Sequence, residues 1–201
     1  ARKRLSNKVE VQHLQIREQE EEIFKLNYAI IETLSTAIEL RSGESGTHVK
    51  RISVLTRRLL EELRRMDPVK YEFTDDQIGQ IATAAIMHDV GKIAISDTIL
   101  NKPGRLTPEE YDVMKMHTIK GCEILELIPQ YKENQLYRYA YDICRHHHER
   151  WDGKGYPDGL KGDEISIWAQ VVSVADVFDA LTNERVYKAA IPEKEAVAMI
   201  H

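Results

Sequence analysis

The sequence predicts an all-α fold: a helical domain led by a long N-terminal coiled-coil helix. Three observations predict it. From Leu5 to Leu40 there is neither Gly nor Pro, and apolar residues return every seven positions. Beyond Gly43, apolar residues recur at the three- and four-residue spacing of helix faces, behind residues that start helices. No segment shows the strict alternation of a half-buried strand.

The elements follow in order. Val9, Ile16, Ile23, Ile30 and Ala37 form an a column. The d column, Leu5, Gln12, Gln19, Leu26, Thr33 and Leu40, is leakier. β-branched residues at a favour a parallel two-stranded coil, and polar residues at d weaken it. Residues 1–40 are therefore expected to be a dimerisation and signalling helix, the other possibility being a helix folded back on its own domain. His48, Ile52, Leu55, Leu59 and Leu63 share one face of the next helix. Thr74-Asp75-Asp76-Gln77 is a capping box for a helix carrying Ile78, Ile81, Ala85 and His88. Thr107-Pro108-Glu109-Glu110 places a cap, a proline and first-turn acids before a helix with Met114, His117 and Gly121 at helical spacing. Tyr137, Tyr141, Cys144 and His148 line another. Five glycines and prolines between 153 and 162 make 151–164 a loop. Ala169, Val172, Asp176 and Asp179 then share a helix side, and Pro192 opens a last helix that runs to the chain end. The chain starts and stops inside helices, so it reads as a fragment.

Composition narrows the function. With 201 residues and 42% hydrophobic content the chain suits one domain plus an appendage. A net charge of −5 argues against polymeric nucleic acid, which needs a basic surface. There is no export signal and no apolar run near membrane length, and the two cysteines, Cys122 and Cys144, read as core residues of a protein in the reducing cytoplasm.

The informative residues are His88-Asp89, followed by Gly91-Lys92, with His48 upstream and His117, His147, His148 and Asp176 downstream. Five imidazoles and two carboxylates on several helices, with no cysteine among them, suit a multinuclear site for borderline divalent metals. His13 and His201 are not ligand candidates. His146 is left over as an imidazole behind or beside the site.

The surrounding residues carry a resemblance. Met87-His88-Asp89-Val90-Gly91-Lys92 resembles the HD phosphohydrolase signature. His147-His148-Glu149-Arg150-Trp151-Asp152-Gly153-Lys154-Gly155-Tyr156-Pro157 resembles the second signature of the HD-GYP subfamily. Residues 102–107 and 174–182 also look like family segments. The resemblance spans roughly residues 30 to 201. It implies an HD-domain helical bundle, with residues 41–201 as a C-terminally truncated HD-GYP domain, and a phosphodiesterase that opens cyclic di-GMP to linear pGpG and/or GMP. It implies that Asp89 bridges two metals and that His147 and His148 are the subfamily's histidine pair. Glu44, four residues before His48, marks members with three metals, so two or three divalent ions are expected, Glu44 holding the third. Iron or manganese is the first expectation, with zinc, nickel or magnesium as other occupants. Ser42, Ser45, Gln170 and Val186 depart from the subfamily pattern.

The chemistry that follows is attack on phosphorus by a hydroxide shared between metals, with Lys92 as a fixed cation over the phosphoryl oxygens. Asp179, Arg185 and Lys188 coincide with family substrate positions. Gly155, Tyr156 and Pro157 form a loop that covers the site and offers a surface to GGDEF-type diguanylate cyclases; Tyr156 and Trp151 either stack on a base or pack on the core. The expected partners are a second copy through the N-terminal helix and a preceding receiver or sensor domain. Two other readings compete: an HD phosphohydrolase of another nucleotide, and an idle interaction module. Preference between cyclic di-GMP and cyclic GMP-AMP is not legible.

Overall fold

A computed structural model describes residues 2–43, 45–129, 132–183 and 190–200. Among them every regular element is helical. The expected long helix is α1 (Arg2–Arg41), 40 residues. It is followed by α2 (His48–Met66), α3 (Asp75–Ala84), the short α4 (Asp97–Leu100), α5 (Pro108–Lys115), α6 (His117–Leu125), α7 (Gln135–His146), α8 (Ile167–Thr182) and α9 (Glu193–Ile200).

Local signals set the starts. Thr74 accepts from the Gln77 amide at 3.1 Å, and its own amide donates to Gln77 Oε1 at 2.9 Å. Thr107 and Glu110 repeat this reciprocal pair at α5. Each box satisfies two amides that helix geometry leaves without partners.

The bundle core packs α2, α3, α7 and α8 around Ile52, Leu60, Ile78, Ile81, Ile143 and Val172, each at most 1% exposed. Burying such a side chain is worth roughly 1.5–3 kcal/mol. Among the described side chains of α1, those that join this core lie toward its end. Ile31 packs against the core, and Ser35 and Glu39 are buried, whereas described side chains from Glu10 to Asn27 are all exposed. Through Glu10–Asn27 the helix thus leaves its side chains open to solvent. Arg41 fastens that end: Nη1 donates to the carbonyls of Lys92 (3.2 Å) and Ile93 (2.9 Å), Nη2 to that of Ile95 (2.7 Å), and Nε to Asp97 (2.9 Å).

Two helices end earlier than their apolar spacing suggests, and both breaks fall at histidines. After Ala84 the chain tightens into a 3₁₀ turn, Ala85–Met87, and Asp89 sits at φ −104°, ψ 12°. The expected helix through His117 breaks at Met116 into α5 and α6. In each case the ring Nδ1 bonds a carbonyl three residues back, Ala85 O at 2.9 Å for His88 and Met114 O at 2.8 Å for His117. A side chain that takes a backbone acceptor competes with continued helix.

Candidate metal centre

The site forms where α2, the turn after α3, the start of α6, the end of α7 and the middle of α8 converge. His48, His88, His117 and His147 are each at most 2% exposed, and Asp89 is 7% exposed. Such burial demands partners for every polar atom.

The hydrogen bonds fix which nitrogen carries the proton. His88, His117 and His147 each present Nδ1 to a backbone carbonyl, that of Ile143 at 3.0 Å in the case of His147. His48 Nδ1 lies 2.7 Å from Asp179 Oδ2. Carbonyls and carboxylates only accept, so each Nδ1 holds the hydrogen, and a neutral ring then has its lone pair on Nε2. Those four Nε2 atoms face inward. His117 Nε2 and His147 Nε2 are 3.5 Å apart, two lone pairs facing each other. Asp89 extends one oxygen to each side. Oδ2 is 3.2 Å from His88 Nε2, and Oδ1 is 3.2 Å from His117 Nε2 and 3.7 Å from His147 Nε2. Asp89 Oδ1 and His88 Nε2 nevertheless lack hydrogen-bond geometry toward any partner. Lone-pair atoms that approach this closely with no proton between them fit a bound cation. Metal-ligating histidines show this same outward Nδ1–H anchor.

Two groups of ligand atoms result, each within 4.8 Å of one another: Asp89, His117, His147 and His148, and Glu39, His48 and His88. Asp176 on α8 lies beside the second, its Oδ1 3.6 Å from His48 Nε2.

The charge states of Asp89, His147 and His148 agree with this donor set. Burial opposes the charge on Asp89, but Lys92, His88, His117 and His147 outweigh it and hold the carboxyl well below the usual range. Burial pushes His147 and His148 down, keeping both neutral as ligands must be. His88 goes the other way: burial opposes its charge, yet Asp89 prevails and raises it to about 9, so a cation at Nε2 would displace a proton there. Burial likewise opposes charge on Asp179, and the contacts of Arg51 and His48 overcome it, taking its pKa to about 2.

A cavity of about 610 Å³ opens on the metal centre, lined among others by Lys92, Tyr111, His117, His148, Tyr156 and Ser173. Lys92 Nζ reaches Asp89 Oδ2 at 2.7 Å from the cavity wall. Tyr156 is half-buried and stacks on His148, the ring centres 4.9 Å apart at 27°. Trp151 is 61% exposed. Glu149, 3% exposed, holds the Gly155-Tyr156-Pro157 loop by accepting from the amides of Asp158 (2.7 Å) and Gly159 (3.0 Å).

The structure thus brings together His48, His88, Asp89, His117, His147, His148 and Asp176, with Lys92 at the rim. Asp179, expected to face the cavity toward substrate, sits behind His48. It is 1% exposed, and its oxygens are taken by His48, Arg51 and Asn183. Glu44, Arg185 and Lys188 lie outside the described residues. Three residues escaped sequence reasoning: Glu39, Arg41 and Arg51. Only the Ile31-Ser35-Glu39 spacing, a second stripe beside the coiled-coil seam, could have marked the first.

His146 closes a separate clamp. Its Nδ1 meets Asp142 at 2.8 Å and its Nε2 meets Asp158 at 3.0 Å, tying α7 to the residue after Pro157.

An all-α bundle with this histidine and aspartate arrangement is what an HD domain presents, and the model of that family matches residues 32–201. The chain belongs to the HD domain family. It is similar to a probable cyclic di-GMP phosphodiesterase of Vibrio cholerae, 38% identical over 181 residues, 89% of this chain and 41% of the relative. It is similar to a 3'3'-cGAMP-specific phosphodiesterase 2 of the same organism, 40% identical over 159 residues, 79% of this chain and 28% of the relative. A cyclic di-GMP phosphodiesterase of Thermotoga maritima is 40% identical over 169 residues, 84% of this chain and 43% of the relative. The chain spans less than half the length of each of these relatives.

Proposed function

We propose that this chain is the catalytic HD-GYP domain of a metal-dependent phosphodiesterase that hydrolyses cyclic di-GMP to linear pGpG and/or GMP. The observation that carries the reading is the convergence of four anchored Nε2 atoms and a split Asp89 carboxylate beside an open cavity. The names of the similar proteins supply the substrate class.

His48, His88, Asp89 and Asp176 would hold one divalent ion, and Asp89, His117, His147 and His148 another, with Glu44 the proposed ligand of a third. Iron or manganese is the first choice. Bound there, such ions polarise a phosphoryl oxygen and make water a nucleophile near neutral pH. The remaining work belongs to the chain. Asp89 gives each group one oxygen. Lys92, fixed by Asp89, presents a cation toward the cavity, where negative charge grows on phosphorus-bound oxygens. Asp179 and Arg51 keep His48 in its tautomer and orientation. Arg185 and Lys188 are proposed to grip phosphate, Arg185 with its planar fork. The Gly155-Tyr156-Pro157 loop walls the cavity beside His148 and offers the surface proposed for diguanylate cyclases. Residues 1–40 are proposed as the dimerising, signal-carrying unit and 41–201 as the catalytic unit, acting in the cytoplasm. No described helix is long and apolar enough to cross a membrane.

The second reading, cyclic GMP-AMP as substrate, is favoured by the names of other similar proteins. One experiment separates these. The iron- or manganese-loaded chain is given each cyclic dinucleotide in parallel, and products are resolved by chromatography. Turnover of cyclic di-GMP is expected. Turnover of the mixed dinucleotide alone shifts the assignment, and turnover of neither in protein of full metal content overturns it.

A further inference from the structure

The long helix α1 delivers a carboxylate to the metal centre. Glu39 lies two residues before the end of α1, and its side chain is 2% exposed. A buried carboxylate costs several kcal/mol unless partnered. One oxygen, Oε2, accepts the Val49 amide at 3.3 Å. The other, Oε1, lies 3.5 Å from His48 Nε2, and Glu39, His48 and His88 have ligand atoms within 4.8 Å of one another.

We propose that Glu39 is a direct ligand of the ion held by His48 and His88. The proposal rests on the metal-centre reading above. A charge-assisted hydrogen bond would draw Oε1 and Nε2 to about 2.7–2.9 Å. Ligands about 2.1 Å from one tetrahedral ion instead stand about 3.4 Å apart. The observed 3.5 Å matches the second distance, and Asp176 Oδ1 stands at nearly the same separation, 3.6 Å, from the same nitrogen. His48 Nδ1 already carries its hydrogen toward Asp179, so Nε2 faces both carboxylates with a lone pair rather than a proton. The rival arrangement makes His48 a cation that Glu39 and Asp176 merely neutralise.

The test is metal binding, read without turnover. Wild type, Glu39→Gln and Ser35→Ala are stripped, titrated with cobalt(II), and followed by visible absorption and by metal content after desalting. Gln keeps the shape and an acceptor for Val49. Ser35→Ala disturbs the same buried stripe, one turn away, without touching a ligand. The expected result is that Glu39→Gln binds one ion per chain at least tenfold more weakly and alters the cobalt spectrum, while Ser35→Ala matches wild type. Unchanged binding and spectrum in Glu39→Gln would overturn the proposal and leave Glu39 as a neutralising partner. Equal losses in both variants would overturn it as well, since packing of α1 would then explain them. Wild type that binds no cobalt would instead bring down the metal-centre reading itself.

Discussion

Asp89 serves two neighbours at once, and its substitution should show it. Asp89→Ala removes one oxygen from each ligand group, so metal content and turnover are both expected to fall to background, with helicity by circular dichroism largely kept. Lys92→Ala should behave differently. It meets Asp89 at 2.7 Å as an ammonium with no lone pair to give a metal, so metal content should stay near that of wild type. Turnover should drop by about 10²–10³, the usual cost of one preorganised electrostatic donor. Loss of metal in Lys92→Ala would make the lysine a support for Asp89 rather than a catalytic cation. At this scale the sequence was readable wherever a residue type names its own chemistry. The five histidines and two aspartates stand out against a helical background. Glu39 does not, because α1 is full of glutamates and only tertiary packing buries this one. Asp179 was seen but misplaced, since one helical turn beyond Asp176 led behind His48 rather than into the cavity.

Elements hold these residues through a few close approaches. A Cβ on Gly91 would stand 1.8 Å from His117 O and 2.4 Å from the Gly121 amide. Both are backbone atoms, so nothing can swing aside. Gly91→Ala must push the turn after Asp89 away from α6, and overpacking of this kind costs about 1–3 kcal/mol. At about 2–4 °C per kcal/mol for a domain of this size, a fall of several degrees in Tm is expected, together with weaker metal binding as His117 shifts. An unchanged Tm would show that the two elements separate freely. The Gly155 position is equally tight, 2.4 Å from Glu149 Cα. Asp142 ties α7 to α8 through Ser166 and Trp168, and to the Gly155-Tyr156-Pro157 loop through His146. Burial alone would raise its pKa, but His146, Ser166 and Trp168 outweigh burial and lower it below 3.8. A depressed carboxyl contributes stability above its unfolded value and loses it as pH falls through the folded one. Asp142→Asn should therefore cost about 1.5–3 kcal/mol at pH 7, the range for hydrogen bonds to a charged group. The gap from wild type should narrow below about pH 3.8, where the unfolded carboxyl protonates. Thermal melts at both pH values check this, and a gap that does not narrow would assign the loss to packing. Helix starts were legible at this scale because capping boxes are local. The breaks at Ala84 and Met116 were not, because spacing alone does not show which carbonyl a histidine ring will take.

For the whole molecule the open question is what covers the outer part of α1. Ile16, Ile23, Ile30 and Leu26 are 48–60% exposed along the seam that the heptads predict. We propose a second copy as the occupant, since the a column of β-branched residues suits a parallel pair. Sedimentation should give a concentration-dependent dimer, and Ile23→Lys should give a monomer with the domain's Tm intact. A wild-type monomer at high concentration would remove the coiled-coil reading. Glu39 and Arg41 give that pairing a mechanical meaning. They sit two residues apart, one against His48 and the other clasping the carbonyls around Lys92. A helix of 40 residues is a shaft about 60 Å long, gripped at one end and exposed through Glu10–Asn27. Each residue added to it turns everything upstream by about 100°. We propose that angular phase set far from the cavity reaches the site as torque on these two side chains. Inserting seven residues after Glu22 keeps the seam in phase and should leave metal affinity unchanged. Inserting three breaks the phase, and a measurable shift in metal affinity is the signature of a shaft that turns its own active site.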